Sequence, residues 1–377
     1  MDKDNNARTK EIQDDEIVNK SGKKSRIISI IFIIALFLGL WFYMVKVDGI
    51  DNMKKVIESA NIWWFIAGLI CLIGQWICES LEIHIPIKKM YPDNKFSTSF
   101  QVNIIGQLFN NITPFSSGGQ PMQAYQMTKT GKRASDILSV LMVKFIIYQL
   151  ALFTDVIVLM LIKFSFFKSI FGDYIWLVVL GFVMNIIATL FILLCGRKKE
   201  FILKIARPII RLGSKIKFGK HRLVKDADKT IEKFEESCEN YSNQFKRMNG
   251  EKEVCFKVYI VSVIHHLVNF AIPYTVYRAF GNSGTSFIEV LMVQSLLLLI
   301  MSFIPTPGSG LGAEGGFALF YGKIFSKETL HMGILFWRIY VFYLPIIVGA
   351  LFLIPASRSD KKKSKTVNNI DEKLLEE

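Results

Sequence analysis

The chain has 377 residues, is 51% hydrophobic with 31 Phe, and carries a formal charge of +14; its mean hydropathy is +0.34. Long apolar runs with few charges exclude an ordinary soluble domain. The basic residues cluster beside those runs rather than along an RNA-binding motif, so the charge reports membrane topology and not a nucleic-acid partner.

Ile27 to Val45 follows Lys20, Lys23, Lys24 and Arg26 and is about long enough to cross a ~30 Å hydrocarbon core. It ends in Trp41-Phe42-Tyr43-Met44, an aromatic belt rather than a cleavage site, which marks a retained first span. The basic tail, residues 1–26, places the N terminus in the cytoplasm. Asn61 to Ile85 returns inward, with Glu79, Glu82 and His84 at its inner end and Lys88, Lys89 and Lys95 beyond. Pairing with Lys88 or Lys89 accounts for the two glutamates.

Phe96 to Phe109 is too polar for a lipid-facing span, and the stretch 96–130 contains the run Asn110-Asn111-Ile112-Thr113-Pro114-Phe115-Ser116-Ser117-Gly118-Gly119-Gln120-Pro121. Basic clusters lie on both sides. A re-entrant hairpin that enters from the cytoplasm and turns at the break satisfies both. Ala134 to Ile162 then crosses outward and Tyr174 to Cys195 inward. The insert 196–253 follows, where 16 Lys/Arg outnumber 9 Asp/Glu, the mark of a cytoplasmic segment.

Val254 to Tyr277 crosses outward. Residues 287–327 hold a second break, Pro305-Thr306-Pro307-Gly308-Ser309-Gly310-Leu311-Gly312-Ala313-Glu314-Gly315-Gly316, and form a second hairpin, now from outside; two full crossings would leave the C terminus on the same side. Ile334 to Ala356 ends inside, before the charged tail 357–377. The fold expected is all-α and polytopic, with six full spans and two re-entrant helical hairpins, about eight membrane segments, and both termini cytoplasmic. Residues 27–165 and 174–356 form an inverted-topology repeat.

Each break precedes a helix start. Ser116 and Ser117 are candidate N-caps, Pro121 tolerates an early helical position, and Gly308, Gly310 and Gly312 permit tight turns. Hairpins meeting near the midplane would aim free N–H groups and two positive helix ends into one cavity, which suits phosphate. Asn110, Asn111, Pro114, Ser116, Ser117, Gly118, Gly119, Gln120, Pro307, Gly308, Gly310 and Gly312 are therefore candidate substrate-binding residues. Glu314 joins them, because a carboxylate at membrane depth is costly unless it has a task. It can hold a cationic headgroup amine, exchange a proton, or cap its own helix.

Lys144 and Asp155 lie on nearly one face of their helix. Lys144 can contact a lipid phosphate or snorkel inward, and Asp155 can cap or pair near the outer surface. Arg338, with Arg278, can contact phosphate from the outer side or serve as an interfacial anchor. His265-His266 invites a proton-relay or metal reading, but adjacent residues point to different sides of a helix, and structural hydrogen bonding is the simpler account. In the insert, Phe201 to Ile216 reads as a basic interfacial helix and Leu223 to Phe245 as an amphipathic helix packed on the membrane domain. Cys71, Cys78, Cys195, Cys238 and Cys255 show no CxxC spacing, and no cofactor, metal site or catalytic residue is indicated.

The breaks, read with their spans, resemble the transmembrane family that forms the membrane half of the lysylphosphatidylglycerol synthase/flippase, the bacterial multiple peptide resistance factor. Asn110, Pro114, Gly118 and Gly119 carry the likeness in the first break, and Pro305, Pro307, Gly308, Gly310, Gly312 and Glu314 in the second. The resemblance implies a flippase-like transporter that moves lysylphosphatidylglycerol or a related phospholipid between leaflets of the bacterial plasma membrane and so contributes to resistance against cationic antimicrobial peptides. Bifunctional members add a C-terminal lysyltransferase domain, which the short charged tail leaves no room for. Two alternatives are a lipid-modifying enzyme of the lysyltransferase type and a non-transporting scaffold for a lipid-synthesis partner. The partners implied are an anionic or aminoacylated phospholipid, membrane lipids and a second copy of the chain in a homo-oligomer. No Walker-type motif is present, so a gradient or mass action must supply any energy.

Overall fold

A computed structural model describes residues 50–215, 217–218, 221–222, 227–302 and 310–353. The expected first span, Ile27 to Val45, lies outside the described residues, as do Pro305, Pro307 and Gly308. The chain divides into two units, Met1–Ser59 and Ala60–Glu377. Within the first, α1 (Ile50–Glu58) carries an exposed Lys54–Glu58 pair at 3.8 Å.

The second unit is built from α2 (Ile62–Met90), α3 (Phe96–Ile112), α4 (Gly119–Thr128), α5 (Ala134–Ile162), α6 (Phe164–Phe171), α7 (Ile175–Arg197), α8 (Lys199–Lys215), α9 (Ala227–Gly250), α10 (Lys252–Ala279), α11 (Phe287–Met301), α12 (Gly310–Tyr321) and α13 (Leu330–Leu353). A two-residue antiparallel pair, Lys217–Phe218 with His221–Arg222, separates α8 from α9. Among the described residues five helical stretches are long and apolar enough to cross a membrane: α2, α5, the run Phe164–Arg197, α10 and α13. Their outer faces leave large apolar side chains uncovered, such as Trp63, Ile70, Leu161, Val179 and Leu351. For helices immersed in lipid this outward face is solvated by acyl chains and needs no protein cover.

At the centre α2 and α10 run antiparallel in close contact. The Asn61 N–H bonds the Ala279 carbonyl at 2.8 Å, Trp64 meets Tyr274 edge-on with centroids 5.9 Å apart, and Asn269 Nδ2 donates to Gln75 Oε1 at 2.9 Å. Further along, Ser262 Oγ donates to Glu82 Oε1 at 3.0 Å, and Lys89 pairs with Glu251 at 3.5 Å. As numbers rise along one helix they fall along the other, which fixes the register over the whole length.

Both expected hairpins form packed helix pairs. In the first, α3 and α4 are joined by a 3-10 turn at Pro114–Ser116, and Gln123 Nε2 donates to Asn103 Oδ1 between them at 3.3 Å. In the second, α11 and α12 lie together, with Tyr321 Oη donating to Gln294 Oε1 at 3.0 Å; their connection is outside the described residues. The last helix begins before its expected start at Ile334 and is interrupted by a π-helical turn, Ile339–Tyr343. Pro345 gives the physical reason: it has no N–H for the Val341 carbonyl, and the ladder widens just ahead of it. In the insert, α9 lies on the membrane helices, as expected. Ile231, Cys238, Phe245 and Met248 are buried, and Ser242 Oγ donates to the Gly196 carbonyl at 3.1 Å.

Helix α13 approaches α3 at Gly349, where an added Cβ would stand 2.6 Å from Leu108 Cβ and 2.9 Å from the Ile104 carbonyl oxygen. Backbone cannot yield as a side-chain tip can. Gly349→Val is expected to destabilise the detergent-solubilised protein by about 1–3 kcal/mol, the usual cost of overpacking, while Leu351→Ala, 60% exposed, leaves the thermal midpoint nearly unchanged. Equal midpoints for the two variants would show that α13 and α3 do not meet as described.

Candidate functional site

The first break is more tightly self-bonded than its sequence suggests. Ser116 takes φ 51°, and the chain resumes helix only after Gly118, the N-cap of α4. Ser116 and Ser117 therefore do not cap α4. Ser117 Oγ donates instead to the Pro114 carbonyl at 2.9 Å. The Gly118 N–H is taken by Thr113 Oγ1 at 2.8 Å and the Gly119 N–H by Asn110 Oδ1 at 3.0 Å. Two of the N–H groups expected to face a ligand are thus already satisfied, and this helix start offers less to an anion than its dipole implies. A Cβ at Gly119 would fall 2.0 Å from Asn110 Oδ1, so the cap itself requires glycine there.

Between the hairpins and the central helices lies a cavity of about 520 Å³. Asn110, Asn111, Ser116 and Gln120 of the first break line it, together with Lys144 and Arg338. Pro114, Ser117, Gly118 and Gly119 build the turn behind this wall. Gly310 and Gly312 fall in the first turn of α12, and Glu314 one turn on. Among the described lining residues Glu314 is not included; it reaches the cavity through Arg338, whose Nε lies 3.4 Å from Glu314 Oε1. The Arg338 guanidinium carbon sits 5.3 Å from the centroid of the Trp337 ring and 5.5 Å from that of Phe342, and the residue is 3% exposed. This corrects the interfacial-anchor reading: burial has converted the arginine into an interior charge.

A second charged wall is built on Glu79 and Lys144, which also line the cavity, with Glu82 fully buried beside them. Lys144 Nζ lies 3.2 Å from Glu82 Oε2 and 3.8 Å from Glu79 Oε1. Glu79 also accepts from Asn103 Nδ2 at 3.3 Å and from Gln107, while Glu82 meets His265 Nδ1 at 2.9 Å. The two glutamates therefore pair with Lys144 of α5 and not with Lys88 or Lys89. The reason is geometric: they stand on the inward face of α2, whereas Lys89 reaches Glu251. Lys144 is drawn inward and does not snorkel. Asp155 likewise turns in, and accepts from His266 Nδ1 at 2.8 Å. Both histidines are buried and hydrogen-bonded, as the sequence reading favoured. Among the described residues no group of three His, Cys, Asp or Glu side chains could hold a metal ion.

Sequence reasoning missed the amides. Gln75, Gln107, Gln123, Gln149, Asn185, Asn269 and Gln294 all line the cavity, and Gln149 Nε2 donates to Asn185 Oδ1 at 2.8 Å. The signal was present: each of these residues except Gln107 and Gln123 is an isolated amide in an apolar run, and such a group must find a partner or face a cavity. A second cavity of about 400 Å³, lined by Lys89, Tyr91, Arg133, Asp136, Arg247 and Glu251 among others, also went unread.

Five apolar helical stretches around a polar, ion-paired interior define a multi-pass membrane protein. The chain belongs to the family described as the lysylphosphatidylglycerol synthase TM region, whose model matches residues 27–349. It is also 22% identical over 312 residues to a UPF0104 membrane protein of Archaeoglobus fulgidus, an alignment that covers 79% of this chain and 88% of that relative.

Lys144 is the ion-pair partner of both glutamates, and removing one member of a buried pair costs about 3–5 kcal/mol. Lys144→Met is expected to lower the thermal midpoint sharply, and Lys144→Met combined with Glu82→Gln to recover part of the loss. Additive effects in this double-mutant cycle would show that the two side chains do not interact.

Proposed function

We propose that the chain is a phospholipid flippase-like transporter that carries lysylphosphatidylglycerol, or a related phospholipid, between leaflets of a bacterial plasma membrane. The observation that carries this reading is the cavity of about 520 Å³ with charge of both signs on its walls, set among helices whose outer faces suit lipid. A phospholipid headgroup needs such a chamber, while its acyl chains remain outside. The phosphate goes to Arg338, beside the Asn110 and Asn111 amides. The headgroup amine goes to the acidic wall, where Glu79 stands. Glu314 acts through Arg338 by holding the guanidinium in place.

Inverted halves, one containing the first hairpin and the other the second, would alternate access around this chamber. The antiparallel pairing of α2 with α10 supports this scheme, because these are the corresponding spans of the two proposed repeats. In it α3–α4 is re-entrant from the cytoplasm and α11–α12 from outside. Export of a cationic lipid would make the outer surface less negative and weaken its attraction for cationic peptides.

Fluorescent lysylphosphatidylglycerol in liposomes containing the purified protein provides the test. Wild type is expected to equilibrate the lipid between leaflets, and Glu314→Ala and Arg338→Gln to slow it on the order of tenfold or more, as loss of one charged contact worth more than 1.4 kcal/mol would. Transfer unchanged in both variants would remove the pair from the mechanism. No transfer by wild type would favour the scaffold, and lysyl-lipid formed from charged lysyl-tRNA and phosphatidylglycerol would establish the enzyme.

A further inference from the structure

Headgroup binding leaves unexplained why the acidic wall carries so many titratable groups. Helix α2 contributes Glu79 and Glu82, with Cys78 alongside; α5 contributes Lys144, Tyr148 and Asp155; α10 contributes His265 and His266. The packed neighbours α3, α4 and α7 present the neutral amides of Asn103, Gln107, Gln123 and Asn185. Arg338, which also lines the cavity, is compensated by Glu314.

With both imidazoles neutral, three carboxylates face a single ammonium, so the cluster carries two excess negative charges. Glu82, Asp155, His265 and His266 are all at most 6% exposed, and uncompensated charge at such depth is costly. A carboxylate only accepts, so each histidine donates its Nδ1 hydrogen, and Nε2 remains as the position that takes a proton. His266 Nε2 is buried and has no hydrogen-bond partner among the described residues. His265 lines the cavity. The Tyr148 ring lies 5.6 Å from that of His265 and 4.3 Å from that of His266, centroid to centroid, and closes the space between them.

We propose that this cluster is a monovalent-cation site shared by a proton and a primary ammonium. A proton on His265 leaves when an ammonium headgroup sits against Glu79, and it returns when the headgroup departs. In the step the imidazolium Nε2–H bond breaks, the ring nitrogen keeps the electron pair, and the proton passes to cavity water. The cluster holds one excess negative charge before and after, because one positive charge has replaced another. The inference deepens the lipid-transfer reading and rests on it for the use of the exchange, which would couple outward movement of an amine lipid to inward movement of a proton.

Two measurements test it. In nanodiscs, adding lysylphosphatidylglycerol to the wild-type protein with a pH dye present is expected to release up to about one proton per chain within pH 5–8, the range in which imidazoles titrate. Phosphatidylglycerol should release none, and His265→Gln should abolish the release. In vesicles with a one-unit pH gradient, one-for-one exchange enriches the amine lipid about tenfold in the leaflet facing the acidic side. Lipid movement with no proton release overturns the exchange and leaves the transport reading standing. Release without lipid movement supports the exchange and overturns the transport reading. Release that is equal with phosphatidylglycerol, or undiminished in His265→Gln, assigns the proton elsewhere and overturns the proposal.

Discussion

A lysine placed among apolar helices must be neutralised by its neighbours, and the ion pairs of Lys144 with Glu79 and Glu82 meet that requirement at 3.8 and 3.2 Å. The consequence reaches well beyond the pair. Because Glu82 is also bonded to Ser262 and His265, one carboxylate joins α2, α5 and α10. Because Glu79 also accepts from Asn103 and Gln107, the other joins the first hairpin to the same centre. Apolar packing among these helices would tolerate sliding, since one aliphatic contact resembles the next. Hydrogen-bonded charges do not, and they set both the register of the helices and the shape of the cavity beside them.

The polar interior has two poles with different chemistry. On one side a single guanidinium is balanced by Glu314 and flanked by the rings of Trp337 and Phe342. On the other, carboxylates outnumber the ammonium between them. The helix start at the first break, which offers the natural place for an anion, is capped by Asn110 and Thr113 of the same hairpin. At this break the polar groups that line the cavity are therefore the side chains of Asn110, Asn111, Ser116 and Gln120 rather than the N–H groups of Gly118 and Gly119.

Local signals made the elements readable. Ala134 to Ile162 reads as one long apolar run, and its bounds match those observed. The hairpins were visible because clustered Pro and Gly disfavour helix and mark turns, and polar residues such as Asn103 and Gln107 are costly facing lipid. Cavity membership was legible for Asn110, Asn111, Ser116, Gln120, Lys144 and Arg338, which were singled out as polar residues at membrane depth. Their partners were not legible. Nothing local distinguishes Lys144 from Lys88 as the mate of Glu82, because the choice depends on which face of α2 meets α5. The capping of α4 was misread for a related reason: Ser116 enters left-handed backbone, a conformation that Gly118 was better suited to supply.

The π-helical turn at Ile339–Tyr343 lies immediately after Arg338. The Leu344 N–H reaches back to Ile339 rather than to Tyr340, so the helix carries an extra residue in one turn. The two ends of α13 are consequently rotated relative to an unbroken helix, which lets Trp337 and Arg338 face the cavity while Gly349 meets α3. Such a turn, just ahead of a proline, is where the hydrogen-bond ladder resists torsion least. The same turn thus divides α13 into a cavity-facing part that carries the arginine and a packing part that is fitted against the first hairpin.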